Sequence, residues 1–278
     1  MADPALEGLL FRYGPGAAHT AFLTGSGDRH VVLIGGLSNG LLFAGYNAAL
    51  AKSLQSSGWA VVLTLLSSSL KGWGIACLDQ DAAEIKLLTQ TLTEKFKSKG
   101  IVLAGHSTGC QDVVRYVTKE GVENIAGAIL QAAVSDREWL DGRPETKARL
   151  KQAEDMIASG KGEYIAYRDF DIDGAPICAR RCVALAKLGG DDDMFSSDFS
   201  DDMLKEKIGA MASIPTLIIQ GLEDETVPAS VDKRATLPRL AKAAGPHAIT
   251  AFVEHGVHDL TGCEEEYVRL VKDFLAKV

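Results

Sequence analysis

An α/β architecture, with a mostly parallel central sheet and helices on both faces, is predicted by three observations in this 278-residue chain. Strand-like apolar runs alternate with helix-like segments. The runs are near-continuous rather than alternating, as strands buried on both faces require. Hydrophobic residues make up 46% of the chain, enough for a substantial core.

The apolar runs are 31–34, 59–65, 101–104, 126–130, 216–219 and 249–253. Residues 18–24 read as an antiparallel strand at the sheet edge. Helical segments 41–54, 79–96 and 108–119 follow the first three runs, and a helix over 264–277 closes the chain. The alternation breaks over 134–212, where polar helical sequence replaces strand sequence. Its apolar periodicity is weak around 148–159 and stronger around 177–188, so a mostly helical lid over the carboxyl edge of the sheet is expected. The chain then divides into an N-terminal core part, 1–133, the lid insertion, 134–212, and a C-terminal core part, 213–278. No internal repeat interrupts this reading.

The net charge of -8 argues against nucleic acid as a partner, because counterion-release binding needs a basic face. Residues 1–14 lack a basic region followed by an apolar run, so no secretory signal is read, and no stretch approaches the roughly 18 apolar residues of a membrane span. Five cysteines, an odd number scattered through a large chain, suit free thiols in a reducing compartment, and a cytoplasmic location is expected. Cys178 and Cys182 lie one helical turn apart, but no His or Cys nearby completes a zinc set.

Gly105-His106-Ser107-Thr108-Gly109 matches a G-x-S-x-G elbow, placed directly after the run 101–104 and directly before a helix. Two glycines flank a serine whose backbone must take a strained turn, which lifts its oxygen above the sheet. The helix that follows, with Val113, Val114 and Val117 on one face, aims its positive end at the site. This context predicts an α/β-hydrolase fold with Ser107 as nucleophile.

A serine hydroxyl needs a base, and this fold supplies the parts in the order Ser, acid, His. Downstream histidines are His247, His255 and His258. His258 follows the run 249–253 through a loop long enough to return an imidazole over the sheet edge and is the choice; His255 is its rival, and His247 stands at the wrong end of the strand. After the run 216–219, Glu223, Asp224 and Glu225 compete for the acid. Asp224 is preferred, because a tight turn after the strand would aim it at the histidine, and its neighbours read as a solvated loop tip. The oxyanion hole is expected from the backbone N–H of Thr108 and of Leu37, the latter in the loop Gly35-Gly36-Leu37-Ser38-Asn39-Gly40, whose glycines are out of register for a dinucleotide fingerprint. Such a triad requires no cofactor and no metal, and its substrate is a small-molecule ester. Acyl transfer or thioester cleavage would use the same residues, and a hydrolase-fold binding protein is the reading from a different class.

Four segments together resemble the α/β-hydrolase family, long labelled a domain of unknown function, that contains the fungal fusarinine C esterases. They are Ile34-Gly35-Gly36-Leu37; Ser67-Ser68-Ser69 with Gly72 and Gly74; Gly105-His106-Ser107-Thr108-Gly109-Cys110-Gln111-Asp112; and Asp191-Asp192-Asp193-Met194-Phe195-Ser196-Ser197-Asp198. The resemblance implies an intracellular esterase, with siderophore esters among its substrates. It implies that the nucleophile, acid and base fall on Ser107, Asp224 and His258.

Other signals are read as structural. Asp169-Phe170-Asp171-Ile172-Asp173-Gly174 begins like a calcium loop, but the position of the bidentate glutamate is Arg180, so a lid turn is expected. The aspartates at 191, 192, 193, 198, 201 and 202 read as a solvated helix-capping loop, with a field favouring cationic substrates as the functional alternative. Trp59, Trp73 and Trp139 could line a pocket, but one or two of them are expected in the core, and Cys110 is expected as a small buried thiol.

Overall fold

A computed structural model describes residues 5–169 and 172–278. In chain order its first elements are β1 (Leu9–Arg12), β2 (Thr20–Thr24), β3 (Arg29–Ile34), α1 (Gly45–Leu54), β4 (Trp59–Leu65) and α2 (Leu78–Glu94). There follow β5 (Ile101–His106), α3 (Gly109–Glu120), β6 (Ile125–Gln131), α4 (Asp136–Asp141), α5 (Thr146–Ala158), β7 (Ile165–Asp169), β8 (Ala175–Cys178), α6 (Ala179–Ala186) and α7 (Asp201–Ile208). The chain closes with β9 (Thr216–Gly221), α8 (Lys233–Ala244), β10 (Ala248–Val253) and α9 (Glu264–Leu275).

Among the described residues, eight strands form one sheet in the order β1-β2-β4-β3-β5-β6-β9-β10. From β4 to β10 all pairings are parallel; β1 and β2 add antiparallel at one end. The strand expected over 18–24 is therefore antiparallel but not at the edge, which belongs to β1. The sequence of β1 is largely exposed and too short to signal itself.

Side-chain alternation along each central strand divides the core in two. Val32, Ile34, Leu103, Leu130 and Ile218 pack on one face with Ile85 and Leu88 of α2, with Val113 and Val117 of α3, and with Leu237 and Leu240 of α8. Val31, Leu33, Val102, Ile129 and Leu217 pack on the other with Leu50 and Leu54 of α1 and with Tyr267, Val271 and Phe274 of α9. Helix α8 lies outside the expected helical segments. Pro238 stands in its middle, where it removes one backbone donor, and Asp232 caps its start by accepting from the Ala235 N–H at 3.1 Å.

Between β6 and β9 the helices are interrupted by the β7–β8 hairpin, and a third apolar cluster joins Trp73 to Leu140, Ile177, Cys182 and Leu185. The calcium-like motif sits at the turn of this hairpin, with Phe170 and Asp171 outside the described residues. Asp173 accepts from the Ala175 N–H at 2.8 Å and Arg143 pairs with Asp169 at 3.1 Å. Trp59 and Trp73 are buried. No helix among the described residues is long and apolar enough to cross a membrane.

The acidic run corrects the solvated reading in part. Asp201 and Asp202 do occupy the exposed first turn of α7, which Ser200 caps. Asp192 and Asp193, however, are each 1% exposed. Arg181, arriving from α6, is bound by both oxygens of Asp192 at 2.6 Å and donates through Nε to the Trp73 carbonyl, while Arg137 of α4 donates to Asp193 at 2.9 Å and to Asp198. Sequence distance hides this, since the cations lie in separate elements upstream. A buried pair is destabilising when broken from one side, because the remaining charge loses its compensation. Arg181→Met is expected to cost about 3–5 kcal/mol of stability, read from the shift of the urea unfolding midpoint.

Candidate active site

Ser107 stands between β5 and α3 with φ of 54°, in the left-handed region that a side chain rarely adopts. Close backbone packing holds it there. A Cβ on Gly105 would lie 2.3 Å from the Gly109 carbonyl oxygen, and one on Gly109 would lie 2.4 Å from the Ile34 carbonyl oxygen. The Ser107 N–H donates to the Gln131 carbonyl at 3.0 Å, tying the turn to β6, and the Ser107 carbonyl accepts from the Cys110 N–H at 2.8 Å. Cys110 is buried and its thiol donates to the Gly105 and Gln131 carbonyls; burial pushes its pKa well up, leaving it a packing thiol.

The loops after β9 and β10 bring the other two residues to the serine. Ser107 Oγ lies 2.9 Å from His258 Nε2, and His258 Nδ1 lies 3.1 Å from each Asp224 oxygen. A carboxylate only accepts, so Nδ1 carries the proton and Nε2 presents its lone pair to the serine O–H. Asp224 is further held by Gln220 Nε2 at 3.0 Å and by the Thr226 N–H at 3.0 Å and hydroxyl at 2.7 Å. Burial works against its charge, yet His258 and Thr226 outweigh burial and bring its pKa down to about 2. Burial likewise lowers the His258 pKa, and the hydrogen bond and charge of Asp224 overcome it, so the net direction is upward from 6.5.

The rivals lie elsewhere. His255 is exposed and pairs with Glu223 at 2.8 Å, His247 is exposed at the amino end of β10, and Glu225 accepts from the His258 backbone N–H at 3.0 Å. Leu37 lines a cavity of about 190 Å³ together with Ser107 and His258, and Thr108 immediately precedes α3, beside the serine. Gly36 makes this approach possible: a Cβ there would lie 2.7 Å from the Ser107 Cβ and 3.1 Å from the Thr108 nitrogen. Asn39 closes the loop by accepting from the Gly36 N–H at 2.8 Å.

Several contributors carry no local sequence signal. Gln131, at the carboxyl end of β6, donates through Nε2 to the His258 carbonyl at 2.9 Å, which leaves Oε1 to accept from His106 Nδ1 at 2.5 Å and from Tyr46 at 3.1 Å. His106 is buried and its pKa falls to about 4 through burial and the neighbouring His258, so it stays neutral under the imidazole of His258, 5.0 Å away ring to ring. Thr226 Oγ1 lies 3.0 Å from His258 Nδ1. Asp136 and Trp139 of α4 line the cavity with Val134 and Ile172. Gln131 and Asp136 both stand at or just after the carboxyl end of a strand, the position that could have marked them.

A family model described as "Protein of unknown function (DUF1749)" matches residues 1–276. The chain belongs to that family. Among its relatives, the fusarinine C esterase sidJ of Aspergillus fumigatus is 33% identical over 269 residues, covering 77% of this chain and 75% of the relative. Esterase AN6793 of Emericella nidulans is 28% identical over 349 residues, covering 98% and 92%. Among solved structures, the siderophore hydrolase EstB from Aspergillus fumigatus superposes with a TM-score of 0.84 at 26% identity, covering 100% of this chain and 99% of that one. This member of the DUF1749 family thus has the α/β-hydrolase fold and the company of ester-hydrolysing relatives.

The His258 imidazole is expected to titrate above 6.5 by NMR, and Asp224→Asn to lower that value, since the anion that stabilises the charged ring is removed. In stability terms, the contribution of ionised Asp224 is present above its ordinary 3.8 and is lost as pH falls toward about 2; that of charged His258 is present below 6.5 and is lost as pH rises through its higher folded value.

Proposed function

We propose that this protein hydrolyses a small carboxylic ester through an acyl-enzyme on Ser107. The observation that carries the reading is the 2.9 Å contact between Ser107 Oγ, held at a strained elbow, and His258 Nε2, whose far nitrogen meets a buried Asp224. His258 Nε2 takes the hydroxyl proton as Ser107 Oγ bonds to the carbonyl carbon. The oxyanion that forms is met by the backbone N–H groups of Leu37 and Thr108; neither donates to a protein acceptor among the described residues. The intermediate collapses, the alcohol leaves with the proton held on Nε2, and a water activated by the same nitrogen releases the acid.

Asp224 fixes the tautomer and stabilises the imidazolium, with Thr226 and Gln220 orienting its carboxylate. Residues 134–212 act as the lid between the two core parts, a role supported by Val134, Asp136, Trp139 and Ile172 on the cavity wall. Siderophore-type esters head the substrates to assay, because two relatives carry such activities in their names. Five cysteines, all free, support a reducing, cytoplasmic setting.

Intact mass after treatment with a reactive fluorophosphonate is expected to show one adduct on wild type and none on Ser107→Ala or His258→Ala. Turnover of short p-nitrophenyl esters should fall by about 10³-fold or more in both variants. A wild type that neither labels nor turns over would instead favour a hydrolase-fold binding protein. The kcat/KM of wild type is expected to rise with pH as His258 loses its proton, with the midpoint above pH 6.5.

A further inference from the structure

The cavity beside Ser107 contains a carboxyl group to which the hydrolytic scheme gives no task. Asp136, the first residue of α4, is 4% exposed and lines that cavity. Its Oδ2 accepts from Gln111 Nε2 at 2.7 Å, while its other oxygen has no protein donor among the described residues. No cation pairs with it among those residues either. Arg181 is engaged by both oxygens of Asp192, and Arg137 by Asp193 and Asp198. Burial, together with the charge of Asp192, pushes the Asp136 carboxyl up to about 7, against the opposing charges of Arg181 and His258, neither of which pairs with it.

Trp139 follows one helical turn later, which places it on the same face of α4, and it lines the same cavity. Its indole already takes one cation, the Arg143 guanidinium 4.2 Å from a ring centroid, whose charge is met by Asp169. A buried carboxylate beside an indole is the donor set that recognises an ammonium group, by ion pairing on one side and by the ring quadrupole on the other.

We propose that Asp136 and Trp139 form a subsite for an ammonium group carried by the ester substrate. The inference rests on the esterase reading above. Because Asp136, Trp139, Ser107 and His258 share about 190 Å³, the cation sits only a few bonds from the scissile carbonyl. The acidic run is not the source of this preference, since Asp192 and Asp193 are already matched by Arg181 and Arg137.

The test is the rate of fluorophosphonate labelling of the full chain, measured with increasing choline or with 3,3-dimethylbutan-1-ol, its uncharged isostere, at matched ionic strength. In wild type, choline is expected to halve the rate at about ten-fold lower concentration than the alcohol. Asp136→Asn keeps an acceptor for Gln111 and is expected to bring the two compounds within about two-fold of each other. Trp139→Leu, a second variant in case the first does not fold, is expected to reduce the preference by about three-fold or more. Equal protection in wild type, or a preference that survives in both variants, would overturn the subsite while leaving the esterase reading in place. A wild type that takes no label would overturn the esterase reading itself.

Discussion

The site depends on one strained residue. Ser107 is held at positive φ only because three backbones close on it at once: β5 through Gly105, α3 through Gly109, and the loop after β3 through Gly36. Each approach is too short for a side chain. The strain is therefore carried by the parallel sheet and the helix packed on it, whose buried area far outweighs the roughly 1–3 kcal/mol of such a conformation. From that turn the remaining geometry follows, because β5 lies between β3 and β6, and the loops after β9 and β10 reach across the carboxyl edge toward it.

Around the serine the polar groups are arranged in layers that each leave one atom free for the next. Gln131 gives its amide to the His258 carbonyl and its oxygen to His106 and Tyr46, while burial keeps the ring beneath His258 neutral, so that it does not repel an imidazolium above it. Thr226 and Gln220 fill the remaining lone pairs of Asp224. On the side of α4 the pattern differs. There the buried carboxylates of Asp81, Asp112, Asp136 and Asp192 all feel the Arg181 guanidinium, and burial raises the pKa values of Asp81, Asp112 and Asp136. The charge of Arg181 opposes that rise at each of the three, and α4 brings the carboxyl of Asp136 to the wall of the cavity.

Most of the fold is legible because its signals are local. Trp59–Leu65 reads as a strand from its unbroken apolar run, and the elbow from five consecutive residues between a strand and a helix. Where local signals conflict, they mislead: Pro238 masks α8, the short exposed β1 carries no pattern, and a hairpin hides inside helical-looking sequence at 165–178.

The sequence by itself determined the alternating architecture, the position of Ser107, and the order in which an acid and a histidine had to follow it, because periodicity and turn chemistry are written in neighbouring residues. Tertiary structure alone decided that Asp192 and Asp193 are buried counter-ions rather than a solvated loop, and that Asp136 lines the cavity beside Ser107. Those outcomes turn on distances between elements far apart in the chain, which hydrogen-bond reach and desolvation select and no local pattern encodes.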